Sequence, residues 1–415
     1  MHPRHTNTII VGAGQAGLAM SRALNERGIE HLVLERGRVA ESWRRRPWES
    51  LRLLTPNWAN GMPGMPYWGD EPHGFMPAGE LIQRLDSYAD LIAAPVHEQT
   101  EVLHATATES GFALSTSEGP YRARNLIVAS GACAEPVIPP LAAALPRRIV
   151  QLTAASYRRA ADLPEGGVLV VGASASGVQI AAEIQASGRP VTLAAGNHLR
   201  LPRTYRGRDI EWWLDTIGAL DEGIEAVDDL DRVRRTPSPQ LTGQGHDVDL
   251  GALQARGIEV TGRLCQVRDG RALFSGGLDP LIQSADLKLA RLRRRIDDWA
   301  AEHLPGASVP ATERPAPTPI PTAPRLELDL TSGEIGTVIW ATGYRPDFSW
   351  LGLPVFDRRQ RLRHLGGIAI GQPGLYVLGL PFLRRRRSAL ISGAGGDASA
   401  VAHHLETRLR QSAAA

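Results

Sequence analysis

Two runs of consecutive apolar, mostly β-branched residues stand out along the chain, Thr8-Ile9-Ile10-Val11 and Val168-Leu169-Val170-Val171. Unbroken runs of this length, rather than alternating ones, mark parallel strands buried on both faces. Each runs into a glycine-rich turn and then into a helical pattern. The first helix is read over Leu18 to Arg27 with Gly28 as its stop, the second from Gly177 to Ile184. A further strand follows each helix, His31 to Leu34 and Val191 to Leu193. The pattern predicts an α/β chain with two Rossmann-like βαβ units, their turns about 160 residues apart.

Other stretches fill in the organisation. Leu126 to Gly131 and Gly336 to Tyr344 read as apolar strands ending in small residues, and Gly374 to Gly379 as another. Val96 to Val102 predicts a short strand, with a hairpin from Phe112-Leu114 and Tyr121-Arg124. Trp48 to Phe75 is irregular and rich in aromatics and prolines, the composition of a pocket-lining or covering loop. Helices are expected from Gly207 to Leu214, from Asp286 to Glu302 and from Ala394 onward, and Pro305 to Pro324 reads as an extended linker or a surface crossover. The expected domains are 1–158 and 329–415, two parts of one discontinuous dinucleotide domain, with 159–328 inserted between them as the second.

The turns carry the chemistry. Gly12-Ala13-Gly14-Gln15-Ala16-Gly17 has the full G-x-G-x-x-G form. Gly12 allows the tight turn, Gly14 lets backbone approach a pyrophosphate, and Gly17 lets the helix pack close, so that its N–H groups face the phosphates. Glu35, 18 residues after Gly17, is placed to accept from ribose hydroxyls, with Arg36 beside it. In the second turn, Gly172-Ala173-Ser174-Ala175-Ser176-Gly177, Ser174 replaces the middle glycine, and Ser174 and Ser176 offer hydroxyl donors. No acid follows the next strand; Arg200 and Arg203 come instead, which favours a 2′-phosphate and hence NADPH. Val102, Ser130, Gly131, Thr342 and Gly343 complete the strand-end candidates, and Gly396 with Asp397 opens the last helix, as an anion contact or as an ordinary cap.

Composition narrows the partners. The 415 residues exceed one core, and a net charge of +2 gives no nucleic-acid signal. No apolar run approaches the roughly 20 residues that span a bilayer. No membrane, nucleic-acid or metal partner is expected; a homodimer is compatible. Cys133 and Cys265 are isolated and the N-terminus enters a strand at once, so a cytoplasmic protein is expected. Lys288 is the one lysine among 46 basic residues, a bias typical of GC-rich bacterial genomes.

Taken with Glu41-Ser42-Trp43-Arg44 and Ala341-Thr342-Gly343-Tyr344, the two turns make the chain resemble, over nearly its whole length, the class B flavoprotein monooxygenases. The resemblance implies FAD at the first turn, with Trp43 and Arg44 along it, and NADPH at the second. It implies that NADPH reduces FAD, that O2 forms a hydroperoxyflavin, and that a small molecule is oxygenated at N, S or a carbonyl. Asn57, or Asn60 near it, is the candidate for steadying the oxygenated flavin. The family pattern F-x-G-x-x-x-H-x-x-x-Y/W falls on Arg147 to Tyr157, where only Tyr157 is kept and Thr153 replaces the histidine. An NADPH oxidase or flavin reductase, and a non-catalytic redox sensor, are the alternatives on the same scaffold. A pocket lined by Trp48–Phe75, Trp212, Trp213 and the Phe382 region predicts an apolar or aromatic substrate.

Overall fold

The computed structural model describes residues 2–45, 48–304, 310 and 315–414, and the side chains of all but the last three of these. In chain order, the first unit opens with β1 (Arg4–Val11), α1 (Gln15–Asn25), β2 (His31–Leu34), β3 (Val96–His97) and β4 (Gly119–Val128). Next come β5 (Val150–Thr153), β6 (Gly167–Val171), α2 (Ala175–Ala186), β7 (Val191–Ala194), α3 (Ile210–Thr216), β8 (Glu259–Thr261), α4 (Leu278–His303) and β9 (Ile335–Trp340). The chain closes with β10 (Leu375–Val377) and α5 (Ala394–Ala414).

β1 is central because its last residues have no polar face to offer water: Ile9 and Ile10 are fully buried. Ile9 lies opposite Leu32 of β2 on one side and Leu126 of β4 on the other, in parallel register. The first sheet runs β10-β4-β1-β2-β3, and two short strands, His364–Leu365 and Ile368–Ala369, extend it past β10. An antiparallel leaf, Val102–Thr108 with Gly111–Thr116, hangs on β4. α5 returns to pack beside α1, where Arg27 of the chain just past α1 pairs with Glu406 at 3.5 Å. The second sheet is β8-β7-β6-β9-β5, parallel throughout, with its own apolar core.

The pairing corrects the expected domain boundaries. β5 lies before residue 159 and β9 after residue 328, yet Thr153 of β5 and Val171 of β6 both register with Trp340 of β9. The second unit therefore claims strands on both sides of the expected limits. An apolar run announces a buried parallel strand, but not which sheet receives it. The two linkers meet as a ribbon: Glu135–Pro136 pairs antiparallel with Tyr344–Arg345, and Val137 N–H donates to Gly343 O at 2.9 Å. The linker expected over Pro305–Pro324 falls partly outside the described residues.

The irregular stretch after residue 47 ties the units together. Trp48 is buried among Ala154, Tyr157 and Ala160 of the second core, while Leu53 and Met76 belong to the first. Among the described residues no helix is long and apolar enough to cross a membrane.

Candidate functional site

The two glycine turns have one geometry. Gly12 sits at φ +107° and Gly172 at φ +111°. A Cβ on Gly12 would lie 2.6 Å from Ala129 O, and one on Gly172 would lie 2.3 Å from Ala341 O. A Cβ on Gly17 would stand 1.9 Å from Gly12 O, and one on Gly177 would stand 1.8 Å from Gly172 O. In each turn, the first and third glycines are required by backbone conformation and by the close approach of helix to turn. The middle position is different. Gly14 (φ −86°, ψ −174°) and Ser174 (φ −88°, ψ −176°) adopt ordinary extended backbone as N-caps of α1 and α2. A Cβ on Gly14 would meet nothing within 4 Å. Glycine at 14 therefore serves no internal packing; it keeps open the surface in front of the α1 N–H groups, of which Gln15 and Ala16 form the first turn.

Beside the first turn one buried polar group is held and another is unpartnered, and a second orphaned polar atom lies on α5, which packs against α1. Glu35, 8% exposed, accepts from Ala13 N–H at 2.8 Å and Gly37 N–H at 3.0 Å, fixing its carboxylate at the end of β2 beside the turn. Ser130, whose Cα lies 3.3 Å from the Cβ position of Gly12, has a buried hydroxyl without a hydrogen bond. Gly131 turns away at φ +88°. Asp397, in the first turn of α5, is buried, and its Oδ2 is likewise unpartnered. Burial pushes its carboxyl up from the usual aspartate range. Beside it a Cβ on Gly396 would meet open space. An open cradle flanked by orphaned polar atoms fits a dinucleotide such as FAD.

Other predicted residues are otherwise engaged. Arg36 is exposed, and Val102 is buried opposite Thr116. Trp43 packs half-buried on the first core. The guanidinium of Arg44 donates to Val39 O at 2.9 Å and to both oxygens of Asp86 at 2.7 and 2.6 Å, which anchors the segment.

At the second turn Ser174 makes no capping bond and Ser176 is half-buried beside it. Gln240, which the sequence reading missed, donates to Ala173 O at 2.8 Å and holds the turn from behind, while its Oε1 is buried without a partner. Thr342 and Gly343 belong here: the adjoining Ala341 O abuts Gly172, and Thr342 Oγ1 donates to Val137 O. Their expected place beside the first dinucleotide is corrected by the entry of β9 into the second sheet.

Arg200 and Arg203 are corrected as readers of a 2′-phosphate. Arg200 is buried with donors on Asp249 (2.6 Å), Asp286 (2.8 Å) and Ala316 O (2.9 Å). Arg203, 2% exposed, binds Asp209 at 2.5 Å and Leu54 O at 2.8 Å and covers the Phe75 ring. Both are internal struts. The exposed cation at the end of β7 is Arg263, which follows β8, the neighbour of β7. Its Nη2 reaches Asn197 Oδ1 at 3.3 Å, and its Nε lies 3.6 Å from the Cβ position of Gly196. Only strand adjacency reveals it, since it lies 60 residues beyond Arg203.

Asn57 is corrected as the catalytic candidate. It is 3% exposed; its Oδ1 accepts from Met76 N–H at 2.7 Å and its Nδ2 donates to Glu71 O at 2.9 Å, so both ends of the amide organise the loop. Asn60 is bound the same way to Thr55 and Pro56. Their neighbour Trp58 has a buried, unpartnered indole N–H and lines a cleft of about 400 Å³ at the seam of the two units. Met62, Pro63 and Pro66 share its wall, Gly395 at the start of α5 borders it, and Glu211, Asp215 and Arg387 face them. The pocket is thus less apolar than expected. Trp213 is fully buried, donating to Tyr205 O at 2.7 Å, and it is Glu211, two residues earlier, that reaches the cleft. Thr153 caps its own turn with Ser156, and Tyr157 donates to Glu183 at 2.7 Å inside the second core.

Residues 9–217 match the family model described as pyridine nucleotide-disulphide oxidoreductase. The chain is 32% identical to an uncharacterized CzcO-like oxidoreductase of Geobacillus kaustophilus, over 94% of this chain and 96% of that one. It is 30% identical to the probable indole-3-pyruvate monooxygenase YUCCA4 of Arabidopsis thaliana, over 71% and 77%. The flavin-containing monooxygenase of Stenotrophomonas maltophilia shares the fold, with a TM-score of 0.69 at 18% identity over 98% of this chain and 99% of that one. Two congruent cradles on two parallel sheets, joined to these likenesses, make the chain a member of the pyridine nucleotide-disulphide oxidoreductase family and, within it, of the class B flavoprotein monooxygenases.

Proposed function

We propose that this protein is an FAD- and NADPH-dependent monooxygenase that uses O2 to oxygenate a small molecule held in the cleft beside Trp58. The observation that carries the reading is the repetition of one turn, with the same sterics at its first and third glycines, on two sheets, together with a cleft lined by residues of both units. Gly12, Gly14, Gly17, Glu35, Ser130 and Asp397 would hold FAD. Gly172, Ser174, Ser176, Gly177 and Arg263 would hold NADPH. When bound, the two groups supply hydride transfer and the activation of oxygen. The chain's own part is to bind and enclose. The helix N-termini of α1 and α2 offer N–H groups to phosphates, and the walls at Met62, Pro63 and Pro66 keep water from one side of the cleft.

Oxygen uptake and peroxide release, measured together, test this reading. NADPH-dependent uptake that a substrate raises, with little peroxide, is the expected result; peroxide equal to the NADPH consumed, whatever is offered, would make the protein an oxidase instead. Arg263→Ala is expected to raise the KM for NADPH roughly 10- to 100-fold, the worth of a charge-assisted hydrogen bond, with little change for NADH. Equal effects on both would remove Arg263 from the 2′-phosphate site.

A further inference from the structure

We propose that Glu211 selects the substrate, and that the cleft takes a small molecule carrying a protonated amine on an apolar body. This rests on the reading of the cleft as the substrate site. Glu211 is 6% exposed and borders the cleft, and its carboxylate receives no hydrogen bond from any described residue. Its backbone is otherwise placed: Glu211 N–H donates to the Asp209 carboxylate at 2.8 Å, at the start of α3.

The charges around it do not supply a partner. Arg203 donates to Asp209 and the Leu54 carbonyl, and Arg387 to Asp215 (2.5 Å) and Asp221 (2.8 Å); the Nε of each is left without a partner, yet neither guanidinium hydrogen-bonds Glu211. These two cations thus stand among three carboxylates before Glu211 is counted. A buried carboxylate without a counter-ion is costly, and a ligand that brings the positive charge removes that cost. An anionic ligand would meet Glu211 and Asp215 together. Trp58, Met62, Pro63 and Pro66 on the facing wall suit an apolar body, and a cleft of about 400 Å³ lies in the size range of small-molecule sites.

The pairing has a proton signature. Burial, the largest cause, pushes the Glu211 carboxyl up to about 7, with Asp209 and Asp215 adding to the rise and Arg203 and Arg387 opposing it. Below that pH the empty site holds a neutral carboxyl. An incoming ammonium converts it to carboxylate, and one proton leaves for the buffer. Above that pH no proton is released.

The test titrates the full chain, purified with its flavin, with 2-phenylethylamine, 2-phenylethanol and phenylacetate, which share one body and differ in charge. Isothermal calorimetry at pH 6 and pH 8, in two buffers of different ionisation heat, gives affinity and proton release. The amine is expected to bind at least tenfold tighter than the alcohol, with phenylacetate weakest, and to release close to one proton at pH 6 and almost none at pH 8. Glu211→Gln should abolish both the preference and the release while leaving the alcohol within twofold. Equal binding of amine and alcohol, a preference that survives in Glu211→Gln, or no binding by any of the three overturns the proposal. Should Glu211→Gln not fold, absence of proton release in the parent overturns it alone. Oxygen uptake in parallel keeps the readings apart: amine-selective binding with no NADPH-dependent uptake refutes the monooxygenase and leaves the amine site standing.

Discussion

Gly14 and Gly17 lie in one fingerprint but answer to different demands. A Cβ at 17 collides with the Gly12 carbonyl, whereas one at 14 meets nothing. Gly17→Ala is therefore expected to destabilise the apoprotein by about 1–3 kcal/mol or more, through backbone displacement that urea denaturation will register. Gly14→Ala should fold as well as the parent, yet retain less FAD, and Gly14→Asp should lose it, as flavin absorbance after gel filtration will show. Glu211 provides a second residue-scale prediction. Its carboxyl is raised from 4.5 to about 7, so between those pH values the folded chain holds a proton that the unfolded chain has lost. Its contribution to stability is therefore present below 4.5 and falls as pH rises through 7, by about 3 kcal/mol in all. Glu211→Gln should be more stable than the parent by up to that amount at pH 8 and nearly equal to it at pH 4.5. Glycine spacing could be read from sequence because the turn is local. The roles of Asn57, Arg200 and Arg203 could not, because Asn57 is bound by Glu71 and Met76 and the arginines by acids and carbonyls up to 149 residues away.

Elements show the same division. The unbroken apolar runs forecast β1 and β6 and the helices after them, since burial on both faces leaves no freedom in composition. They could not assign β5 and β9 to the second sheet, because any parallel core strand carries that pattern. Arg200, expected at a 2′-phosphate, instead ties two elements together. It bridges Asp249, the N-cap of helix Leu250–Ala255, to Asp286 on α4. Arg200→Ala leaves two acids without their partner and should cost about 3–5 kcal/mol by urea denaturation. The ratio of NADPH to NADH affinity should meanwhile stay within twofold; a selective loss of NADPH would return Arg200 to the cofactor site.

At the scale of the whole molecule, the units are stitched by side chains as well as by linkers. Trp48 enters the second core, and the run Arg385 to Arg387 pairs with Asp215, Asp221 and Glu222. These three arginines have acidic partners that charge patterning alone could not place. Trp48→Ala should lower stability by about 3–5 kcal/mol and separate one calorimetric transition into two, the second unit melting first. A single shifted transition would mean that the linkers alone couple the units.

The ribbon of Glu135–Pro136 and Tyr344–Arg345 has a consequence for how this molecule can be rebuilt. The points where the chain leaves the first unit and returns to it lie side by side, so everything between them is topologically a cassette. It could be excised and its flanks rejoined by a short bridge, without crossing a strand of the first sheet, or exchanged for a relative's cassette to alter nucleotide preference. What resists the exchange is Trp48, an apolar plug in the recipient, together with the ion pairs of Arg385 to Arg387: a transplanted cassette must bring a slot of the same shape and matching acids, or the plug must be recut to fit.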